Sequence, residues 1–432
     1  MALKLKPVLL ATTVAFILSG CGESTSATAG EGHAGHSPTT PGDSNGGDNG
    51  GNGDKQFDQT ALLVSLVDNV ITPTYQAFDS KAKSQPSALK AYCDLETSYD
   101  PALEDEAAKT SLDEAKLTAQ NAWKETMVTW QHAELMILGP LSAERKTLRN
   151  NIYSWPAVST CSVDQDVMFF NQGDINGNPY EIAKRSDKRR GLDALEYLLF
   201  NEQIGHSCSE TSAGEILADW DNKTEQERKV LRCQFAVAVA EDLSATSTQL
   251  LFEWAGDEGY ANTLKQAGEP GNKFSTTLSA INEISDALFY MTEELKDYKL
   301  ATPLGLFNNS CGTSVCTQDV ESTFAKHSIE NIRANIEGFE KIFIGGNEDN
   351  TGFDDFLDNQ DASDTKEIML KGIADAKLAA DAIENLQNAL ENDTASVEHT
   401  HAKVKDVTDQ LKNDFINKLA LELPKTSAGD ND

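Results

Sequence analysis

Basic residues are scarce in this 432-residue chain: Lys and Arg number 36 against 69 Asp and Glu, for a formal net charge of −33. So acidic a surface excludes nucleic acid as a partner, because phosphate binding needs a basic face. It also argues against broad electrostatic attraction to anionic lipid, and fits a chain kept soluble by its own charge better than a trap for cations. Long alternating β-branched runs, which strands require, are missing. The N-terminal apolar run, residues 7–18, falls short of the roughly 20 residues that a bilayer-spanning helix needs. No His-Glu-x-x-His helix is present, which removes one zinc-peptidase signature. Ser328, beside His327, does not stand in the Gly-x-Ser-x-Gly elbow of a serine hydrolase. No cysteine pair has the CxxC spacing of a zinc ribbon.

The N-terminus carries Lys4 and Lys6 ahead of the short apolar run, the pattern of a secretory signal. It ends Leu18-Ser19-Gly20-Cys21, which resembles the bacterial lipobox, in which the cysteine thiol is lipidated and becomes the first mature residue. Residues 1–20 are therefore expected to be a lipoprotein signal peptide, and Cys21 the lipid anchor that makes a membrane the chain's first partner. Gly22 follows where aspartate would favour inner-membrane retention, so the expected address is the outer membrane, facing the periplasm. Residues 21–54 are rich in Gly, Ser, Thr, Asp and Asn and cannot bury enough apolar surface to order themselves. They read as a flexible tether, with His33 and His36 as bystanders within it. Six cysteines remain: Cys93, Cys161, Cys208, Cys233, Cys311 and Cys316. An even number in an exported chain suggests disulfides. Cys311 with Cys316 is the best pair; Cys208 with Cys233 and Cys93 with Cys161 are expected only from proximity in sequence.

Helical patterning dominates the rest. Apolar residues recur at helical spacing over 59–84, 111–138, 191–200, 225–254, 274–298, 320–343, 363–390 and 394–421, with Pro73 expected to interrupt or kink the first. Residues 153–187 read as irregular. The expected fold is all-α, with two helical bundles at about 55–265 and 266–424 and a disordered tail at 425–432. An internal echo supports related halves. Trp254 leads through Gly256 and Gly259 to Tyr260 and Leu264, as Phe343 leads through Gly345 and Gly352 to Phe353 and Leu357.

The chemistry concentrates in acids on apolar faces. The segment Gly191-Leu192-Asp193-Ala194-Leu195-Glu196-Tyr197-Leu198-Leu199-Phe200 is apolar almost throughout, and Asp193 and Glu196 project from one face of it. Glu134 continues the core stripe of Trp123, Met127 and Trp130 in the preceding long helix. Buried carboxylates need a partner or a metal, and three of them on inward helix faces suit a hard ion such as Fe, Mn, Mg or Ca. The competing reading is structural ion pairing by Arg145, Arg149, Arg189 or Arg190. His132, two residues from Glu134, falls off its face and is expected to be exposed. Asp174-x-Asn176-x-Asn178 imitates the start of a calcium loop, but Pro179 and Arg185 occupy the positions that need glycine and glutamate. The acidic turn of Asp349, Asp354 and Asp355 reads as solvated.

Two of these segments resemble signatures of the imelysin family: 123–140, with its Trp-x6-Trp-x3-Glu-x4-Gly-Pro arrangement, and 190–200. Residues 301–305 and His327-Ser328 resemble further family segments. The resemblance implies two four-helix bundles related by pseudo-symmetry, a periplasmic or outer-membrane setting and a link to iron, with some members called metallopeptidases. It carries metal-ligand roles onto Glu134 and Glu196. The family motif is Gly-x-His-x-x-Glu, and here Asp193 stands where the histidine belongs. Asp193 either substitutes as an oxygen ligand or marks an altered site, and a catalytic zinc usually wants an imidazole. The leading expectation is a non-enzymatic envelope protein of iron uptake or homeostasis that holds a divalent or ferric metal, iron by family implication, through Glu134, Asp193 and Glu196. The alternatives are a metallopeptidase of imelysin type and a module with a degenerate site that binds an envelope protein through the cleft between bundles.

Overall fold

Asp58 starts the first helix by accepting a hydrogen bond from the Ala61 N–H at 2.9 Å. This computed structural model describes residues 57–424; the signal segment, Cys21, the tether with its histidines and the tail 425–432 lie outside the described residues. Helix α1 (Gln59–Ser65) passes through a wide π turn, Leu66–Ile71, into α2 (Thr72–Ser98). Pro73 therefore falls in the first turn of α2, where its missing N–H is tolerated. The wide turn absorbs the change of register, and no break follows.

Asp105 caps α3 (Glu106–Glu134) through the N–H groups of Ala107 and Ala108. The first half continues with α4 (Ala143–Ile152), α5 (Thr160–Gln172), α6 (Gly191–Phe200), α7 (Glu210–Ala213), α8 (Glu225–Ala255) and α9 (Tyr260–Lys265). Thr224 and Glu227 form a reciprocal capping box on α8. The second half has α10 (Thr277–Leu288), a wide helical segment Met291–Ala301, α11 (Thr302–Leu304), α12 (Ser328–Phe343), α13 (Phe353–Asn359), α14 (Ser363–Asp381), α15 (Leu386–Asn392), α16 (Thr394–Gln410) and α17 (Ile416–Lys418).

Helix α2 packs against α3 and α8, with α6 against α8 and α3; in the second half α14 and α16 pair, and α12 lies on α14. Helix α3 also lies along α12 and so joins the halves, while α1 reaches across to α10. Helix α5 occupies a stretch read from sequence as irregular, because Asp164 and Asp166 interrupt its apolar face; both are buried. The expected 320–343 helix begins only at Ser328, and 363–390 is broken after Asp381. The sole strands among the described residues, β1 (Asp174–Ile175) and β2 (Asn178–Pro179), form a hairpin in which Asp174 accepts from the Gly177 N–H at 2.9 Å. The calcium-like spacing is thus accounted for as a turn.

The internal echo has a physical basis. Helices α8 and α12 end in a buried aromatic, Trp254 or Phe343, and fold back through a glycine turn into α9 or α13. A Cβ on Gly259 would lie 2.3 Å from the Trp254 carbonyl oxygen, and one on Gly352 2.5 Å from that of Phe343. Both positions therefore need glycine for the close backbone approach, and the second turn also places Gly345 at a left-handed φ of +68°.

All six cysteines of this region are paired, but two of the expected pairings are corrected. Cys311 joins Cys316 as expected. Cys93 joins Cys233, not Cys161, and Cys161 joins Cys208. The reason is helix packing: Cys93 on α2 and Cys233 on α8 face each other across the tightest helix pair in the first half, with Cα atoms 5.3 Å apart.

Candidate functional site

Glu134 ends α3 with its carboxylate fully buried. Its Oε1 receives the Arg149 guanidinium at 2.5 Å, and its Oε2 lies 3.5 Å from the Lys299 ammonium. Burial alone would raise this carboxyl, but the charges of Lys299 and Arg149 outweigh it and hold Glu134 below the usual carboxylate range.

Asp193 and Glu196 have different surroundings. Helix α6 is buried along nearly its whole length and is held by the Trp123 indole N–H, which donates to the Leu192 carbonyl at 2.9 Å. Its N-terminus abuts α4 so closely that a Cβ on Gly191, whose φ is +79°, would lie 2.5 Å from the Ile152 carbonyl oxygen. Asp193 Oδ2 accepts from the Ser154 N–H at 2.5 Å and the Ser154 hydroxyl at 3.0 Å. Glu196 Oε1 accepts from the N–H groups of Phe324 and Ala325, each at 2.9 Å, and so ties α6 to the segment leading into α12. Burial pushes Asp193 up to about 7, only partly opposed by Ser154. Burial pushes Glu196 up to about 8, opposed by the Ala325 N–H and reinforced by the Asp193 charge. Burial thus favours the protonated form of both acids.

Of the arginines weighed from sequence, only Arg149 serves this centre. Arg189 pairs with Asp166 at 2.6 Å and Arg190 with Asp242 at 2.7 Å. His132 is not exposed as expected: it is half-buried and meets Glu337 of α12 at 3.0 Å. His327 is buried edge-on to Trp123, its ring pushed down to about 4 by burial and by the Lys124 charge. In the acidic turn, Asp354 pairs with Lys366 at 3.1 Å and Asp355 accepts from the Gly352 N–H.

Sequence reasoning missed half of the centre. Lys299, from the wide segment, is almost wholly buried and contacts Gln131 Oε1 at 2.6 Å, Asn335 Oδ1 at 2.8 Å and Glu321 Oε1 at 3.0 Å. Glu321 also accepts from the Tyr153 hydroxyl at 2.7 Å and from Gln131 Nε2 at 3.0 Å. A signal was available in the pattern: Asn331 and Asn335 lie four apart on the apolar face that Ile332, Ile336 and Phe339 bury. Polar residues on such a face need partners.

The family-implied metal meets a donor set already engaged. Both Glu134 oxygens face cations, and Asp193 and Glu196 are engaged in fixed hydrogen bonds. Among the described residues no group of three or more His, Cys, Asp or Glu side chains is arranged to hold a metal ion. With two internal cations at the acids and no imidazole at position 193, these residues as arranged do not fit a resident metal, and no chemical step can be derived through one. Beside the centre, Tyr197, Phe200 and Gln203 from the first half and Thr323, Phe324 and Lys326 from the second line a cleft of ≈ 550 Å³.

No curated protein matches the chain by sequence. Among solved structures, it is similar to an iron-regulated protein A precursor from Parabacteroides distasonis, with 18% identity over 84% of this chain and 95% of that one and a TM-score of 0.60. It is also similar to an imelysin-like protein from Psychrobacter arcticum, with 12% identity over 85% and 96% and a TM-score of 0.54. At these identities the likeness concerns the fold alone. The family model of imelysin, peptidase family M75, matches residues 71–413, and the chain belongs to the imelysin family.

Proposed function

We propose that this protein is a lipid-anchored cell-envelope component of iron uptake or homeostasis that acts by binding a partner, not by hydrolysing peptides. The lipobox-like Cys21 and the tether behind it support the address, and the family supports the process. One observation carries the absence of hydrolysis: Arg149 and Lys299 neutralise Glu134 from within the chain, so the acid centre holds its own cations where a peptidase needs a metal with an open position. The cleft between the halves is the surface available for an envelope protein or an iron-bearing ligand. The test is turnover of unfolded protein and peptide libraries by the mature chain, with and without added zinc, iron and manganese. The expected result is no cleavage above background; cleavage abolished by a chelator would establish the metallopeptidase instead.

A second reading keeps Glu134, Asp193 and Glu196 as ligands of a divalent or ferric ion. It is favoured by the burial of all three carboxylates, since buried acids need a partner or a metal. It requires uptake to release protons and to strengthen as pH rises through 7 and 8. Calorimetry in buffers of different ionisation enthalpy separates it from the first.

A further inference from the structure

Lys299 is an unusual lysine. Its ammonium is removed from water and faces four side-chain oxygens: Gln131 Oε1 at 2.6 Å, Asn335 Oδ1 at 2.8 Å, Glu321 Oε1 at 3.0 Å and Glu134 Oε2 at 3.5 Å. Three of these contacts are hydrogen bonds, which use the three N–H donors of the ammonium, and Glu321 Oε1 stands within ion-pair distance as a fourth oxygen. Two carboxylates and two amide carbonyls form an all-oxygen set of the kind that also suits a hard cation. The oxygens come from α3, from the segment before α12 and from α12 itself, so the cage is built across both halves of the chain. Glu321 Oε2 is buried without a hydrogen-bond partner, which leaves this carboxylate with acceptor capacity that the lysine does not use. The Tyr290 ring closes another side, 5.5 Å from the ammonium.

We infer that Gln131, Glu134, Glu321 and Asn335 form an oxygen cage for a hard cation, and that the Lys299 ammonium is its built-in occupant. The inference rests on the reading of this centre as working without a metal, and explains how the chain does so: the charge an ion would bring arrives on a side chain. It differs from the carboxylate set expected from sequence, since Asp193 and Glu196 take no part. Three of the four Nζ–oxygen distances exceed the 2.3–2.6 Å of calcium–oxygen bonds, so an ion replacing the ammonium would draw Asn335, Glu321 and Glu134 inward.

The experiment uses the whole mature chain carrying Lys299→Met, which keeps the stem and removes the charge. It is probed with calcium and manganese by thermal unfolding and with terbium by luminescence. The expected result is a variant destabilised in chelator, restored by cation, and binding one terbium at least tenfold more tightly than the unaltered chain. Adding Glu321→Gln should abolish that binding. If Lys299→Met cannot fold alone, folding that appears only with cation supports the cage, and failure to fold with any of the three overturns it. A folded variant that binds none, or an unaltered chain that binds equally well at the same four residues, also overturns it. Failure here leaves the proposed binding role standing, because that role is tested separately by turnover.

Discussion

Glu134 is the residue on which the buried centre turns. Replacing it with alanine leaves the buried Arg149 without its carboxylate, with only the Asn150 and Trp155 oxygens to accept from it, and Lys299 with one carboxylate fewer. Removing one partner of a buried ion pair costs about 3–5 kcal/mol, and Glu134→Ala should lower stability by that order in urea unfolding. Asp193 and Glu196 predict a pH dependence. Folded, they release protons only near 7 and 8; unfolded, they do so at about 4. The folded state therefore binds more protons between about pH 4 and those values, and stability falls as pH rises through that window. The urea midpoint should be higher at pH 5 than at pH 8.5, and Asp193→Asn with Glu196→Gln should shrink the difference. An undiminished difference would contradict the assignment. All three acids were legible in the sequence as carboxylates on apolar faces. Of their partners, Arg149 was weighed from sequence, but Lys299 and Glu321 were not, because they lie more than 160 residues from Glu134 in sequence and long-range pairing leaves no local pattern.

Elements were legible where one apolar face ran unbroken, as in α6 and α8, whose bounds match the periodicity almost residue for residue. They were not where buried acids interrupt the face, as in α5, or where a wide turn absorbs a proline, as at Pro73. Cys311 with Cys316, close in sequence, was found, but the other two pairings failed for the same reason as the long-range ion pairs: Cys93 with Cys233 follows the contact between α2 and α8, which sequence proximity does not encode. Non-reducing peptide mapping should recover Cys93 with Cys233 and Cys161 with Cys208. Replacing Cys93 and Cys233 together should cost on the order of 4–5 kcal/mol, because that bridge closes a long loop of the unfolded chain. Gly191→Ala should destabilise by at least about 2 kcal/mol, since it meets both a left-handed φ and the Ile152 carbonyl; an unchanged unfolding midpoint would show that α4 and α6 can part at little cost.

At the scale of the whole molecule, the all-α class followed from helical periods. The envelope address rests on Cys21 and its surroundings, and Cys21→Ser should shift the chain from the membrane fraction to the soluble envelope fraction. The central claim is that an imelysin fold here carries an acid centre neutralised by its own lysine and arginine and needs no metal. Its most direct test is the metal content of the purified mature chain after exposure to iron, zinc, manganese and calcium at pH 7. The account predicts less than a stoichiometric amount of every metal; one metal ion per chain, lost in a still-folded Glu134→Ala, Glu196→Ala double variant, would contradict it.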